Sequence, residues 1–147
     1  MTAQSYNQMK QEMSYLFYIT SKEVISQYNN KLKAYGISFP NFIVLLYIEK
    51  DKPIYINTLC KELYLDSGTI SPIMKRLEKK KLIQRIRAEE DERRVMIKLT
   101  EQGAELKEHF SQITDDVVDE FGMDKEDSLA YYEILKTFAK KNIYNQE

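Results

Sequence analysis

One stretch limits what this chain can fold into more than any other. Between residues 57 and 99 the apolar spacing changes from steps of three and four to steps of two. Residues 57–64 read as a short helix. Leu65-Asp66-Ser67-Gly68 then makes a tight turn, with Asp66 or Ser67 as the expected N-cap, because a short side-chain oxygen there can accept from the free backbone N–H groups. A further helix runs to about residue 80, with Ile70, Ile73, Met74 and Leu77 as its apolar stripe. Pro72 removes one hydrogen bond from that helix and crowds the preceding turn, which is tolerable this near its start and beside Gly68. Ile83 and Arg85 then mark a strand, and Val95, Ile97 and Leu99 alternate with Met96 and Lys98 in a second. Glu89-Glu90-Asp91-Glu92-Arg93-Arg94 lies between them as a charged hairpin tip.

The flanks are helical. Over residues 7–33, Met9, Met13, Leu16, Phe17, Thr20, Val24, Tyr28 and Leu32 form one stripe, which Gly36 stops. A second helix spans 39–50, and Lys52-Pro53 breaks it. Pro53-Ile54-Tyr55-Ile56 suits a small edge strand. Thr100 caps a fifth helix with Leu106, Phe110, Ile113, Val117 and Phe121 on one face, ended by Gly122. Asp124 caps a sixth, with Leu129, Tyr132, Leu135, Phe138 and Ala139 expected inward. The fold class is therefore mainly α with a small β-wing: a winged helix-turn-helix lobe at 37–100, flanked by helical dimerisation segments at 1–36 and 101–147. The lobe holds a small core of its own, so the terminal stripes need another partner. Two chains pooling six such helices hide them better than one chain can, and an operator with two-fold symmetry needs two reading heads about one helical turn apart.

Composition narrows the setting. The longest apolar run, Phe42 to Ile48, has seven residues, against the roughly 20 that a membrane span needs. No basic start followed by an apolar stretch marks a secretory signal, and one cysteine cannot staple the chain to itself, so a reducing cytoplasm is expected. The net charge of −1 does not itself point to a polyanion. Its distribution does: Lys75, Arg76, Lys79, Lys80, Lys81, Arg85 and Arg87 face a single Glu78 between residues 75 and 87, while the acidic excess lies mostly after Glu101.

A reading helix presents short polar groups to base edges near its N-terminus, and Ser67, Thr69 and Ser71 do so beside Pro72, with a methyl on Thr69 for thymine. Lys75 and Arg76 follow one to two turns later, within reach of phosphates or, for Arg76, a guanine edge. At the hairpin Arg93 is long enough for a narrow minor groove, and Arg85 and Arg94 add charge beside it. Asp91 would be repelled by DNA, so its role is to hold Arg93 or fix the turn. Double-stranded DNA is the expected partner.

The segments Leu65-Asp66-Ser67-Gly68-Thr69-Ile70-Ser71-Pro72 with Lys75-Arg76-Leu77-Glu78, Asp91-Glu92-Arg93-Arg94, and Leu99-Thr100-Glu101-Gln102-Gly103 together resemble the MarR family of winged-helix regulators. The resemblance extends through Tyr15-Leu16-Phe17-Tyr18, covers about residues 14–103, and is most similar to the one-cysteine redox regulators of the OhrR, SarZ and MgrA type. It implies a homodimer on a pseudo-palindromic promoter site, a recognition helix at 67–80, a minor-groove arginine at Arg93, and repression relieved by oxidative stress. In that subgroup a reactive cysteine stands where this chain has Ser14, and tyrosines matching Tyr18 and Tyr28 approach its sulfur. A further tyrosine corresponds to Phe39. A serine hydroxyl cannot be oxidised to a sulfenic acid or disulfide, so residue 14 of this chain senses no peroxide. Either serine is native there, or it replaces a cysteine.

Cys60 is the remaining thiol. A small buried core residue is the preferred reading, although Lys61 and the start of its helix would lower its pKa modestly. Relatives in the resembled family also bind small aromatic ligands between the dimer helices and the lobe. Here Tyr15, Tyr18, Tyr28, Phe39 and Phe42 would line that pocket, or simply be core. The effector is accordingly a small molecule or a peroxide. An enzyme is disfavoured: the one histidine, His109, reads as a surface residue, and no metal spacing, phosphate loop or nucleophile–base pair is present, so no cofactor or metal is expected. A wing that contacts protein instead of DNA is the last alternative, and salt dependence separates the two.

Overall fold

A computed structural model of the chain describes residues 2–144. The chain begins in a long helix, α1 (Ala3–Leu32), whose Thr2 cap accepts a hydrogen bond from Ser5 N at 3.1 Å. This cap starts the helix four residues earlier than the apolar stripe predicts. At about 1.5 Å per residue, its 30 residues reach about 45 Å. One 3₁₀ turn and Gly36, at φ 69°, end it.

Helix α2 (Phe39–Leu46) starts on a capping box: Asn41 Oδ1 accepts from Ser38 N at 3.0 Å and from Ser38 Oγ at 2.7 Å. It ends four residues before the predicted limit of 50. Lys107 Nζ donates to the carbonyls of Leu46 and Ile48, both at 2.9 Å, and so fixes the end of that helix from a distant segment. Strand β1 (Ile54–Tyr55), helix α3 (Ile56–Leu63) and helix α4 (Ser67–Lys79) follow, then strands β2 (Ile83–Arg87) and β3 (Val95–Leu99). The sheet is antiparallel in the order β1-β3-β2, with Ile54 opposite Ile97 and Arg85 opposite Ile97 on its other side.

The segment expected as one fifth helix is two: α5 (Glu101–Lys107) and α6 (Phe110–Glu120). No proline or glycine breaks it at Glu108-His109. His109 N bonds to Leu106 O at 3.1 Å, a tightened turn, and Phe110 packs its ring 4.7 Å from that of Phe42. Tertiary packing sets this bend. Helix α7 (Lys125–Ala139) then runs into a widened turn over Lys140–Tyr144. Asp124 caps α7, accepting from Asp127 N at 2.9 Å.

The hydrophobic core gathers Phe42, Val44 and Leu45 of α2, Leu59 of α3, the α4 stripe Ile70, Ile73, Met74 and Leu77, and Ile97 and Leu99 of β3. It also draws in Leu32, Phe110 and Ile113 from the flanking helices. Gly103 seals it: a Cβ there would lie 2.0 Å from the Leu82 carbonyl oxygen, so only glycine lets α5 dock against the start of β2. The outer helices are different. Leu129, Tyr132, Leu135 and Phe138, expected inward, are 44–56% exposed in the single chain, as are Met9, Met13, Leu16 and Phe17 at 40–48%. Across the described residues no helix is long and apolar enough to cross a membrane.

Candidate nucleic-acid interface

The turn between α3 and α4 is built by Tyr64, which takes a left-handed conformation at φ 52°, and by Leu65 N bonding back to Cys60 O at 3.0 Å. Asp66 then caps α4, its Oδ1 accepting from Thr69 N at 2.7 Å. That backbone hydrogen bond holds the Asp66 carboxyl below the usual carboxylate range. Because Ile70, Ile73, Met74 and Leu77 are buried, the opposite face of α4 is forced outward. Ser67, Thr69, Ser71, Pro72, Lys75 and Arg76 are all exposed on it. Among the described residues neither Lys75 nor Arg76 is in an ion pair.

The hairpin sorts its three arginines. Arg85 Nε donates to Glu78 Oε2 at 2.9 Å, tying β2 to α4. The Arg94 guanidinium lies 4.0 Å over the Tyr55 ring, clasped against β1. Asp91 fixes the tip, its Oδ1 accepting from Arg93 N at 2.9 Å and its carbonyl from Arg94 N at 2.9 Å. The exposed Arg93 side chain is left without an ion-pair partner among the described residues, while its backbone is held. Glu78 and Tyr55 are the residues that sequence reasoning missed here. Tyr55 is 39 positions from Arg94, and only the pairing of Tyr55 with Met96 brings it near.

The candidate sensing residues are not gathered within one chain. Ser14 is exposed and donates to Lys10 O at 3.2 Å. Tyr18 is 64% exposed, under the Lys22 ammonium at 5.2 Å. Tyr28 lies about 21 Å further along α1 than Ser14, from the helical rise, and packs against Phe39 at 4.9 Å and Phe42 at 5.2 Å. A mostly apolar cleft of about 460 Å³ lies among α1, α6 and α7, lined by Phe17, Val24, Tyr28, Phe39, Tyr131 and Tyr132 among others. Tyr15 and Tyr18 do not line it and Phe42 is buried in the core, so the pocket lining read from sequence is corrected to Tyr28 and Phe39 with residues of α7.

Cys60 sits in the second half of α3, not at its start, and burial pushes its thiol pKa up, with Asp66 adding to the shift. The expected lowering by Lys61 and the helix start is overturned, since burial in an apolar setting disfavours the thiolate. His109 is exposed and stacks on Tyr35 at 5.2 Å. The described residues hold no group of three or more His, Cys, Asp or Glu side chains placed to bind a metal.

Residues 26–110 match the family model described as transcriptional regulator SarA/Rot. The HTH-type transcriptional regulator SarZ of Staphylococcus epidermidis is 40% identical over 134 residues, covering 91% of this chain and 90% of that protein. Among solved structures, reduced AbfR bound to DNA is similar at TM-score 0.74 and 25% identity, over 97% of this chain and 99% of that one. A mutant of MarR from E. coli complexed with operator DNA is similar at TM-score 0.78 and 25% identity, over 86% and 93%. With a winged helix-turn-helix built from α3, α4 and the β2–β3 hairpin, and these matches across most of its length, the chain belongs to the SarA/Rot family of transcriptional regulators, within the MarR-like winged-helix proteins.

Proposed function

We propose that the protein is a cytoplasmic, homodimeric transcription repressor that grips a pseudo-palindromic duplex site with two copies of α4 in successive major grooves and Arg93 in the flanking minor grooves. The observation that carries this reading is the division of α4 into a buried apolar face and an exposed face of Ser67, Thr69, Ser71, Lys75 and Arg76. The DNA-bound states of AbfR and MarR support it by likeness. Residues 37–100 form the reading lobe, and 1–36 with 101–147 form the dimer. The exposed apolar faces of α1 and α7 support that assignment, because soluble monomers rarely leave such continuous faces in water.

The test is fluorescence anisotropy on duplexes from the protein's own upstream region, run across a salt series. Affinity falls steeply with salt as phosphate contacts release counterions. Arg93→Ala weakens binding by about tenfold, the scale of one lost groove contact, and leaves the dimer folded. Binding that is insensitive to salt, or unchanged by Arg93→Ala, overturns the assignment of the wing.

A second reading concerns release. A link to oxidative stress belongs to a form with cysteine at residue 14, whereas Ser14 and the raised Cys60 pKa argue against thiol sensing in this chain. The aromatic cleft beside Tyr28 and Phe39 favours release by a small aromatic ligand. Gel shifts with and without peroxide, on this chain and on Ser14→Cys, separate the two. Oxidant-dependent release confined to Ser14→Cys places the redox switch at residue 14.

A further inference from the structure

On the far side of α4 from the wing, a groove of about 530 Å³ lies between that helix and the connection from α1 to α2. Its cations are Lys33, Arg76 and Lys80, and no carboxylate lines it. None of the three is in an ion pair among the described residues. Gly36 lets the chain turn there, and a methyl group on it would come within 3.4 Å of Lys80 Nζ, so the Lys80 ammonium lies close against this turn.

The neutral residues of the groove are also biased toward donation. Asn29 spends its carbonyl oxygen on Phe39 N at 2.8 Å. Asn41 spends its own on Ser38 N and Ser38 Oγ. Both amides are left with their NH₂ ends. Asn41 is 4% exposed, lines the groove, and its Nδ2 has no hydrogen-bond partner. A buried donor without a partner costs about 1–3 kcal/mol, and an acceptor entering beside it removes that cost. Three cations, two amide donor ends and no acid form a setting that excludes cations and neutral acceptor-poor molecules and favours an anion with several oxygens.

From these observations we infer that the groove between α4 and the α1–α2 connection is a phosphate-binding site, held by Lys33, Arg76 and Lys80 above the Asn41 amide. Arg76 and Lys80 continue the exposed stripe of Thr69 and Pro72 at helical spacing, about 16 Å along the axis from Thr69 to Lys80. Occupancy of the groove therefore bears on the same helix that reads the duplex. The phosphate has two sources, the DNA backbone or a free phosphorylated small molecule. The first rests on the proposed DNA binding, and the second does not.

The experiment has an arm for each source and uses the full-length protein with Lys33→Gln and Lys80→Gln, both exposed positions that keep an uncharged polar side chain. In the first arm, inorganic phosphate is titrated at constant ionic strength without DNA, and the Asn41 side-chain amide signal is followed by NMR. A saturable shift in the parent protein, lost in both variants, identifies a site for a free phosphorylated ligand. In the second arm the salt dependence of duplex affinity is measured. A log–log slope shallower by about 0.9 in each variant, one phosphate contact apiece, identifies a backbone contact. No phosphate-dependent shift together with unchanged slopes overturns the site. Failure of the parent protein to bind any duplex overturns the DNA reading instead, and the phosphate titration still decides the groove.

Discussion

The lobe and the two outer helices are made from similar apolar stripes and treat them in opposite ways. In α4 the stripe Ile70, Ile73, Met74 and Leu77 is at most 4% exposed, closed over by α2, α3 and the sheet. In α7 an equally regular stripe stays open, with Ile134 64% and Leu129 56% exposed. The difference is not in the residues but in what lies within reach of them. The lobe supplies its own cover, while α1 and α7 touch each other only locally, as at the Phe17–Phe138 ring pair 5.8 Å apart. A single subunit therefore folds a reading head and holds out an unfinished surface.

This contrast is open to direct attack. Leu77→Ala removes a fully buried side chain from the closed region, and the expected loss is about 2–5 kcal/mol, the same at every protein concentration in urea unfolding. Gly103→Ala forces a methyl group against the Leu82 carbonyl and is expected to cost about 1–3 kcal/mol, again independent of concentration. Ile134→Glu probes the open region. In an isolated subunit it costs under about 0.5 kcal/mol. If this face pairs with a second copy, sedimentation shows self-association at least tenfold weaker, and the melting temperature becomes concentration-dependent in the parent alone. The smallest effect is at the tip of the lobe. The Asp66 carboxyl is lowered in the folded state, so its contribution to capping α4 is present above the ordinary aspartate pKa of about 3.9 and is lost as pH falls through the lower folded value. An NMR titration of the Thr69 amide checks this, and a midpoint above the ordinary value contradicts it.

The helices and the wing were readable because each carries a local signal: the caps Asp66, Thr100 and Asp124, the period-three-and-four stripes, and the alternation of Val95, Ile97 and Leu99. The bend at Glu108-His109 was not, since it follows from Phe110 meeting Phe42, a contact between residues 68 positions apart. The site was legible as a set of residue types and not as a set of states. Nothing near Arg85 or Arg94 in sequence distinguishes them from Arg93. Their partners, Glu78 and Tyr55, are brought in by the sheet. The Cys60 environment was misread for the same reason: burial by distant residues outweighs the neighbouring Lys61.

Helix α1 belongs to both regions at once. Its last residue, Leu32, is fully buried in the core, while Met9 and Met13 near its start stand on the open surface. A rigid rod about 45 Å long, pivoting by only 5° at one end, swings the other by about 4 Å, a third of the roughly 12 Å breadth of a major groove. Small rearrangements where two such rods cross are thereby magnified at the far tips, and a regulator of this shape can be switched off by a few degrees of tilt with no part of it unfolding.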